Sequence, residues 1–562
     1  MCYLCELANV KAPALTGTVD KVSLSLKDGA QRLLQPNSSW TYNNNLTTEI
    51  TYGFRSNAPT YNTSQHNQQN TFERVSISEM TMVREALSAW SNITNIKFVE
   101  VNAGGYTDAA TMLFANYISR TDGSNGFAYY PSSKNTAPSS REGDVWLNNY
   151  DGSFFNVQRG RYDFTTILHE IGHALGLSHP GDYNAGSGIT LTYANNAEFR
   201  EDTRQYTVMS YFQASELGAD HGSQYTKTPL LLDMIAIQQI YGFNTTGSSG
   251  DDIYGFSSTR GPAYLLTDGS DKAVFSIWDS GGVDMLDVSK YTLNQKISLV
   301  DASFSDIGGL TKNISIAAGA VIENARGGSG DDVIAGNNIN NFLWGGTGDD
   351  QISGAAGDDR LYGDDGRDIL MGGRGDDVMD GGAGSDIVSY SAIRADYSVS
   401  KFADTIVVRA NAEYSDGVDT LVNIERIDFT DGDLVFDVTS SNAPAAYRLY
   451  GGAFDRTPDE GGFRFWTSYL DKNVSLHGVA TEFIRSPEFV SRYGASLSNA
   501  AFVDALYQNV LHRGGDAGGI AYWNQQLDTK ARDRPDVLVQ FTQLPEFVGI
   551  SAANTTNGYW VV

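Results

Sequence analysis

Cysteine is almost absent from this chain. Among 562 residues only Cys2 and Cys5 carry a thiol, which excludes a framework of structural disulfides. A C-x-x-C pair without a second pair provides only half of a structural zinc site. The pair alone therefore leaves the role of the two cysteines open.

Positive charge is also scarce. The chain has 39 Lys and Arg against 67 Asp and Glu, a formal net charge of −28. This balance argues against nucleic acid or an anionic membrane as a partner and favours calcium as a counter-charge. No run of about 18 apolar residues occurs, so no transmembrane segment is predicted. The first residues lack a basic region followed by an apolar stretch, so we expect no Sec-type signal peptide.

The length predicts roughly three or four domains at about 150 residues each. We place an N-terminal pro-segment at 1–36, an α+β domain at 37–243, a calcium-binding domain at 244–440 and a helical domain at 441–562. Within the α+β domain, "SISEMTMVREALSAWSNI" has apolar residues at helical spacing. Ser78 is the predicted N-cap of this helix.

A nine-residue repeat runs through residues 327–389 in seven successive units, beginning "GGSGDDVIA". It matches the calcium-binding pattern G-G-x-G-x-D-x-U-x, where U is a large apolar residue, and predicts a parallel β-roll. We expect the U side chains to stack in the core of the roll. They are Ile334, Leu343, Ile352, Leu361, Leu370, Met379 and Val388.

Calcium prefers six to eight oxygen ligands, which glycine-rich turns supply as carbonyls and the sixth repeat position supplies as a carboxylate. Asn341 takes that position in the second unit, which predicts a weaker or missing site there. The candidate ligands of the repeats are Gly328, Gly330, Asp332, Gly345, Thr347, Asp350, Asp359, Asp368, Asp377 and Asp386.

A longer repeat lies near the C-terminus. The stretch "LYGGAFDRTPDEGGFRFWTSYLD" from Leu449 returns as "LYQNVLHRGGDAGGIAYWNQQLD" from Leu506. Its apolar spacing predicts a small all-α domain of two related halves. We expect Trp466 and Trp523 to belong to its core rather than to a ligand platform.

The candidate catalytic and metal-binding residues lie in the stretch "TTILHEIGHALGLSHP". In a helix His169 and His173 share one face, so both imidazoles can bind one zinc ion. Glu170 beside them can take a proton from zinc-bound water and pass it to the leaving amine. This is the arrangement of the H-E-x-x-H motif of metalloproteases. Gly176 permits a turn of positive φ that ends the helix and brings His179 to the same ion.

The string from His169 to His179 resembles the metzincin signature. Together with the following "PGDYNAGSG" and "YTVMSYF", it is similar to the serralysins, which are secreted bacterial zinc endopeptidases. The resemblance covers about residues 37–390. It implies that Met209 lies beneath the zinc ligands. It also implies that Tyr211 binds zinc in the resting enzyme and stabilises the tetrahedral intermediate during catalysis.

The resemblance further implies calcium sites before the repeats, and ions that bridge each turn to the turn two units on. Asp386 should accordingly share an ion with Asp368. The candidate ligands before the repeats are Ser248, Gly250, Asp252, Asp279, Gly281, Asp284 and Glu323.

The function implied by the resemblance is a secreted, calcium-stabilised endopeptidase with one catalytic zinc ion that hydrolyses internal peptide bonds of proteins. Export would use a bacterial type I secretion apparatus, with calcium driving folding outside the cell. A cell-surface component is a further expected partner, through the C-terminal domain. The alternative is a surface-associated adhesion protein whose peptidase activity is incidental or serves autoprocessing.

The zinc motif bears on the two cysteines, because a thiolate is a strong zinc ligand that could displace the catalytic water. One hypothesis is a latent precursor in which Cys5, or else Cys2, ligates the zinc as an inhibitor. Cysteines without a specific role in a disordered leader, and a redox or disulfide role, are the two alternatives.

Overall fold

The computed structural model describes residues 21–40, 48–61, 68–121, 123–132, 137, 140–186, 188–411, 416–437 and 442–562. Within these residues no helix is both long and apolar enough to cross a membrane. Contacts divide the chain into two units, one ending at Asp350 and one beginning at Gln351. This division falls inside the nine-residue repeats, and each unit is described by itself.

The first six strands of the first unit form one sheet in the order β3-β1-β4-β6-β5, and β2 pairs with β4. Strands β3, β1, β4 and β6 are parallel, whereas β5 runs antiparallel to β6 at the edge of the sheet. All six residues of β4 are buried, as expected for a parallel strand covered on both faces. The bounds are β1 Thr48–Phe54, β2 Phe72–Glu73, β3 Ile96–Glu100, β4 Met112–Tyr117, β5 Gly126–Ala128 and β6 Val145–Asn148.

Helices pack around this sheet, and the helix predicted over residues 76–93 is present. Its N-cap is Ser76, whose hydroxyl accepts from the backbone N–H of Glu79 at 3.2 Å while the Glu79 carboxylate accepts from the N–H of Ser76. The prediction of Ser78 as the cap is wrong, because only Ser76 has an acidic residue three positions later to complete this reciprocal pair. The bounds are α1 Leu26–Gln31, α2 Gln68–Thr71, α3 Ile77–Ile93, α4 Tyr162–Ala174, α5 Tyr193–Asn196 and α6 Leu231–Tyr241.

The described part of the predicted pro-segment packs onto this domain. Leu26 and Ala30 of α1 are buried, and Leu33 is wholly buried. A methyl group added to Gly29 would lie 3.3 Å from the side chain of Leu232 in α6. Residues 21–40, termed here the N-terminal segment, therefore contribute to the core of the α+β domain.

Ten further strands complete the first unit. Strands β8, β7, β10, β14 and β16 pair in that order, all parallel, and β11 pairs parallel with β15. Strand β13 pairs with β9 and β12. The bounds are β7 Ile253–Phe256, β8 Leu265–Leu266, β9 Phe275–Ile277, β10 Met285–Asp287, β11 Lys296–Ser298, β12 Phe304–Ser305, β13 Ile314–Ile316, β14 Asn324–Arg326, β15 Val333–Ala335 and β16 Phe342–Thr347.

In the second unit, successive repeat strands alternate between two sheets. One contains β17, β19, β22 and β26 in parallel order, and the other contains β18, β20 and β25. Strands β23 and β24 form an antiparallel hairpin beside β25. The bounds are β17 Gln351–Ala356, β18 Arg360–Gly366, β19 Ile369–Arg374, β20 Val378–Asp380, β21 Ala383–Gly384, β22 Ile387–Ser389, β23 Tyr397–Phe402, β24 Thr405–Ala410, β25 Val418–Val422, β26 Arg426–Phe429, β27 Gly432–Val435 and β28 Tyr559–Val561.

The predicted apolar positions of the repeats are confirmed as buried, since all seven side chains are at most 1% exposed. The predicted helical repeat is also present as two sets of four helices. Trp466 and Trp523 are partly buried against the helical core. The bounds are α7 Ala443–Phe454, α8 Glu460–Asp471, α9 Leu476–Arg485, α10 Pro487–Tyr493, α11 Asn499–Asn509, α12 Ala517–Asp528, α13 Arg534–Thr542 and α14 Pro545–Ser551.

The assignment of Ser76 as the N-cap of α3 can be tested by substitution. We expect Ser76→Ala to destabilise the α+β domain by about 1 kcal/mol, because the N–H of Glu79 loses its acceptor. Calorimetric unfolding at constant zinc and calcium measures the effect. Ser78→Ala is the matched control and should leave the transition unchanged. Equal transitions for the two variants would contradict the assignment of the cap.

Candidate metal centre

Three imidazoles converge at one end of α4. The Nε2 atoms of His169 and His173 each lie 3.2 Å from Nε2 of His179. Each Nδ1 faces a backbone carbonyl, of Val208, Leu177 and Tyr183 respectively, at 2.7 to 2.8 Å. A carbonyl oxygen only accepts, so each Nδ1 carries the proton and each Nε2 presents a lone pair.

These three lone pairs need a cation between them. Ligands at 2.0 to 2.1 Å from a tetrahedral zinc ion lie about 3.3 Å apart, close to the separations seen. The rings are at most 9% exposed. Burial lowers the pKa of His173 to about 4 and that of His179 to about 3, so neutral imidazole, the ligand form, predominates at neutral pH. The histidine set therefore fits zinc.

Gly176 makes the third ligand possible. Its φ is +104°, and a methyl group on its Cα would lie 2.1 Å from the carbonyl oxygen of Ser38. The predicted turn of positive φ at this glycine is confirmed. Helix α4 ends at Ala174, and the N–H of Leu177 donates back to Gly172 at 2.9 Å, which turns the chain toward His179.

The N-terminal segment holds the same stretch from the other side. Ser178 donates its N–H to Leu33 at 2.7 Å, and Gln35 donates to Gly176 at 3.1 Å. The start of the segment is secured by Glu201, which is 1% exposed and accepts from the hydroxyl of Ser23 and the N–H of Leu24. The segment therefore supports the loop that carries His179.

Glu170 lies beside the three histidines and is 5% exposed. Its Oε2 has no hydrogen-bond partner in the described part of the chain, and burial raises its pKa to about 8. A methyl group on Gly126 in the edge strand β5 would lie 3.2 Å from Oε1. Glu170 thus faces a cavity of about 230 Å³ that is lined in part by Gly126, Tyr162, Arg204 and Tyr211.

Met209 and Tyr211, which follow the histidine motif by about thirty residues in sequence, both lie close to it in space. Met209 is wholly buried, and a methyl group on Gly172 would lie 2.6 Å from its Sδ, so its thioether lies beneath the ligand-bearing turn. The ring of Tyr211 stacks on His169 at 5.7 Å and lies 4.5 Å from the ring of His179. Zinc binding by Tyr211 stays a prediction.

Sequence reasoning missed the groups that orient the imidazoles. The carbonyl of Val208 accepts from His169, while its N–H donates to Asp233 at 2.8 Å. The carboxylate of Asp233 also accepts from Leu230 at 2.9 Å, which caps α6. Backbone carbonyls belong to every residue type, so no residue pattern could reveal this role.

The acidic residues before the repeats also meet. Carboxylate oxygens of Asp252, Asp279 and Asp284 lie within 4.8 Å of one another, and Glu323 accepts from the N–H of Asp284 at 2.7 Å. Burial and then the neighbouring negative charges raise the pKa of Asp284 to about 7. The remaining candidates lie in the same two turns: Ser248, Gly250 and Gly281.

Within the repeats, the sixth-position carboxylates pair with the turn two units earlier. Asp386 accepts from the N–H of Asp368 at 2.9 Å, and Asp377 accepts from Asp359 at 2.8 Å. The same contact joins the first and third repeats, where Asp350 accepts from the N–H of Asp332 at 2.6 Å. The candidate turn residues Gly328, Gly330, Gly345 and Thr347 adjoin that pair.

Asn341 differs from its acidic counterparts. Its Oδ1 accepts from the N–H of Asn337, and its Nδ2 donates to the carbonyl of Glu323 at 2.9 Å. A carboxylate could not make the second contact. This turn therefore closes through a neutral amide, whereas the other turns bury negative charge.

Comparisons with known proteins agree with this geometry. Residues 49–207 match the family model "Matrixin", residues 243–443 match "Peptidase M10 serralysin C terminal", and residues 480–550 match "Domain of unknown function (DUF4214)". The metallopeptidase AprA of Pseudomonas marginalis is 39% identical over 331 residues, which are 58% of this chain and 67% of the relative.

The chain belongs to the serralysin family. Serralysin of Proteus mirabilis is 42% identical over 305 residues, 52% of this chain and 60% of the relative. Serralysin B of Dickeya chrysanthemi is 39% identical over 313 residues, 54% of this chain and 62% of the relative. This member of the serralysin family thus matches about three fifths to two thirds of the length of these relatives.

Cys2 and Cys5 lie outside the described residues, so the proposed inhibitory ligand stays a hypothesis. At the start of the described N-terminal segment, the ammonium of Lys21 donates to the carbonyls of Ala194, in α5, and Ala197, just after α5.

The support that the N-terminal segment gives to His179 can be tested through Glu201. Glu201→Gln keeps the size of the side chain but replaces one acceptor oxygen by a donor, so a buried N–H or hydroxyl loses its partner. We expect zinc to bind about two- to tenfold more weakly, measured by competition with a chromophoric chelator. Glu216→Gln in the same domain is the matched control. Equal zinc affinity in both variants would contradict this role.

Proposed function

We propose that this chain is a secreted, calcium-stabilised zinc endopeptidase that hydrolyses internal peptide bonds of proteins. The observation that carries the proposal is the convergence of three imidazole lone pairs beside the buried carboxylate of Glu170, at the wall of a cavity. Membership of the serralysin family supports the same chemistry.

The three histidines and Glu170 have different roles in the proposed reaction. Zinc bound by the three histidines would act as a Lewis acid toward the scissile carbonyl and would make water more acidic. Glu170 receives a proton from the attacking water at its unpartnered oxygen and returns it to the leaving nitrogen, so the carboxylate ends each cycle unchanged.

The edge strand β5 favours an extended substrate. It lies at the edge of its sheet, and Gly126 leaves room beside Glu170. An extended polypeptide can add to such an edge through backbone hydrogen bonds. This mode of binding suits bonds in the interior of a chain.

Replacement of Glu170 tests the proposed function. We expect Glu170→Gln to abolish casein clearing in a zymogram while zinc content stays at the wild-type level, because the metal ligands are untouched. Equal clearing by variant and wild type would refute the proposal. So would the absence of clearing by the wild type supplied with zinc and calcium, and either result would favour the adhesion alternative.

Tyr211 is proposed to stabilise the negative charge that develops on the carbonyl oxygen. Tyr211→Phe should then lower kcat about 10²- to 10³-fold with little change in KM, as for loss of an oxyanion donor. Tyr162→Phe, which removes a phenol from the same cavity, is the matched control and should stay near wild-type kcat. Steady-state hydrolysis of a fluorogenic peptide separates the two parameters. Equal kcat values for the variants would remove Tyr211 from the mechanism.

The calcium part of the proposal concerns the repeats. We interpret the alternating parallel strands as a β-roll, in which carboxylates repel one another until calcium binds. Such coupling suits export of an unfolded chain through a type I apparatus and folding outside a bacterial cell. A cell-surface partner of the helical domain, and a latent precursor with Cys5 on the zinc, belong to the same proposal.

A further inference from the structure

A second cavity adjoins the one that Glu170 faces. It has a volume of about 250 Å³, and most of its wall comes from residues 213–226. Thr165, Arg204 and Val208 line both cavities. Since Val208 also orients His169 through its carbonyl, the wall shared by the two cavities adjoins the three histidines.

Arg204 is the charged member of this shared wall, and its guanidinium is held in place. The rings of Tyr162 and Tyr225 lie against it, with their centroids 5.4 and 5.7 Å from its Cζ atom. The two rings also contact each other at 5.3 Å. Nε of Arg204 donates to the carbonyl of Ser210 at 3.2 Å. Aromatic faces and one hydrogen bond thus fix the orientation of the guanidinium.

The charge of Arg204 has no anionic partner within the described residues. Its side chain forms no ion pair there, and its terminal N–H groups have no hydrogen-bond acceptor. Arg84 of α3 shows the contrast, because its guanidinium lies 2.7 Å from the carboxylate of Glu100. A guanidinium keeps its charge at any physiological pH and presents its donors as a planar fork that matches a carboxylate. Arg204 therefore has free capacity to bind an anion.

The other titratable groups of the two cavities leave this positive charge in place. Asp220 lines the second cavity, but its carboxylate accepts from a backbone N–H at 2.8 Å rather than from Arg204. Burial lowers the pKa of His221 in the same cavity, so this imidazole is neutral at neutral pH. Burial, and then the charge of Glu170, raises the pKa of Tyr211, and the charge of Arg204 opposes this rise. The guanidinium is thus close enough to act on the site of hydrolysis.

We propose that Arg204 is a specificity residue that binds an acidic side chain of the substrate close to the scissile bond. The carboxylate of Asp or Glu can accept two parallel hydrogen bonds from the terminal N–H groups of the guanidinium. Because the tyrosine rings already orient this group, little side-chain entropy is lost on binding. The inference rests on the proposed peptidase function and adds to it a preference for acidic residues at one position beside the cleaved bond.

Paired fluorogenic peptides test the inference with the full chain supplied with zinc and calcium. The two members of a pair differ only in Glu or Gln at one of the two positions on either side of the scissile bond. Both ends are blocked, so the Glu side chain is the only carboxylate that differs. At one position we expect kcat/KM of the wild type to be about tenfold higher for Glu than for Gln, as for a charge-assisted hydrogen-bonded pair.

Three variants assign this preference to Arg204. Arg204→Met removes the charge and should bring the Glu-to-Gln ratio to about one, mainly by lowering kcat/KM for the Glu peptide. Arg204→Lys keeps a positive charge without the fork and should keep part of the preference. Arg161→Met is the matched control, because Arg161 is exposed and is not among the lining residues of either cavity. It should keep the wild-type ratio.

The wild type alone keeps the test decisive if Arg204→Met fails to fold. A wild type that cleaves the Glu and Gln members of every pair equally well would overturn the inference and leave the peptidase function intact. So would an equal loss of kcat/KM on both members of the preferred pair in Arg204→Met, because that result indicates a purely structural role. A wild type that cleaves neither casein nor any of the peptides would overturn both the inference and the proposed function.

Discussion

The convergence of three imidazole Nε2 atoms, two of which lie 3.2 Å from that of His179, sets the constraint on which the α+β domain depends. Their lone pairs repel unless a cation lies between them, and their orientation is held by carbonyls of the loop after α4 and by the carbonyl of Val208. One of these, Val208, is itself held by Asp233 at the start of α6. The helix, the loop after it and the turn containing Met209 must therefore all be in place before the metal can bind, which couples zinc affinity to the fold of the whole domain.

The repeats also bring electron-rich groups close together, in this case negatively charged carboxylates. A buried carboxylate of one repeat accepts from the backbone N–H of the acidic residue two repeats earlier, as Asp377 does from Asp359 and Asp386 does from Asp368. Neutral hydrogen bonds orient these groups but do not offset their charge. Asn341 shows the contrast, because an amide closes its turn without any need of a cation. On the proposed function, both parts of the protein would depend on bound metal, one through nitrogen lone pairs and the other through carboxylates.

The packing of the N-terminal segment limits which residues can be removed when a latent precursor matures. Leu33 is wholly buried, and the backbone around it pairs with the loop that carries His179. A cut that removed residues 21–36 would expose this core and release the third zinc ligand from its support. Maturation that leaves an active enzyme is therefore expected to spare these residues, even if residues nearer to Cys5 are removed.

The amino-acid sequence by itself determined the histidine triplet beside Glu170, the positive-φ turn at Gly176, the apolar positions of the repeats and the two halves of the helical domain. Each of these depends on spacing along the chain, either one helical turn or a fixed period, and local geometry carries spacing directly into space. Only the tertiary structure decided that the carbonyl of Val208 orients His169, where the N-terminal segment lies and that Asp419 accepts from the N–H of Asp377 across 42 residues. Those contacts join distant segments, and a hairpin inserted between two turns breaks the period in sequence while the strand pairing restores it in space.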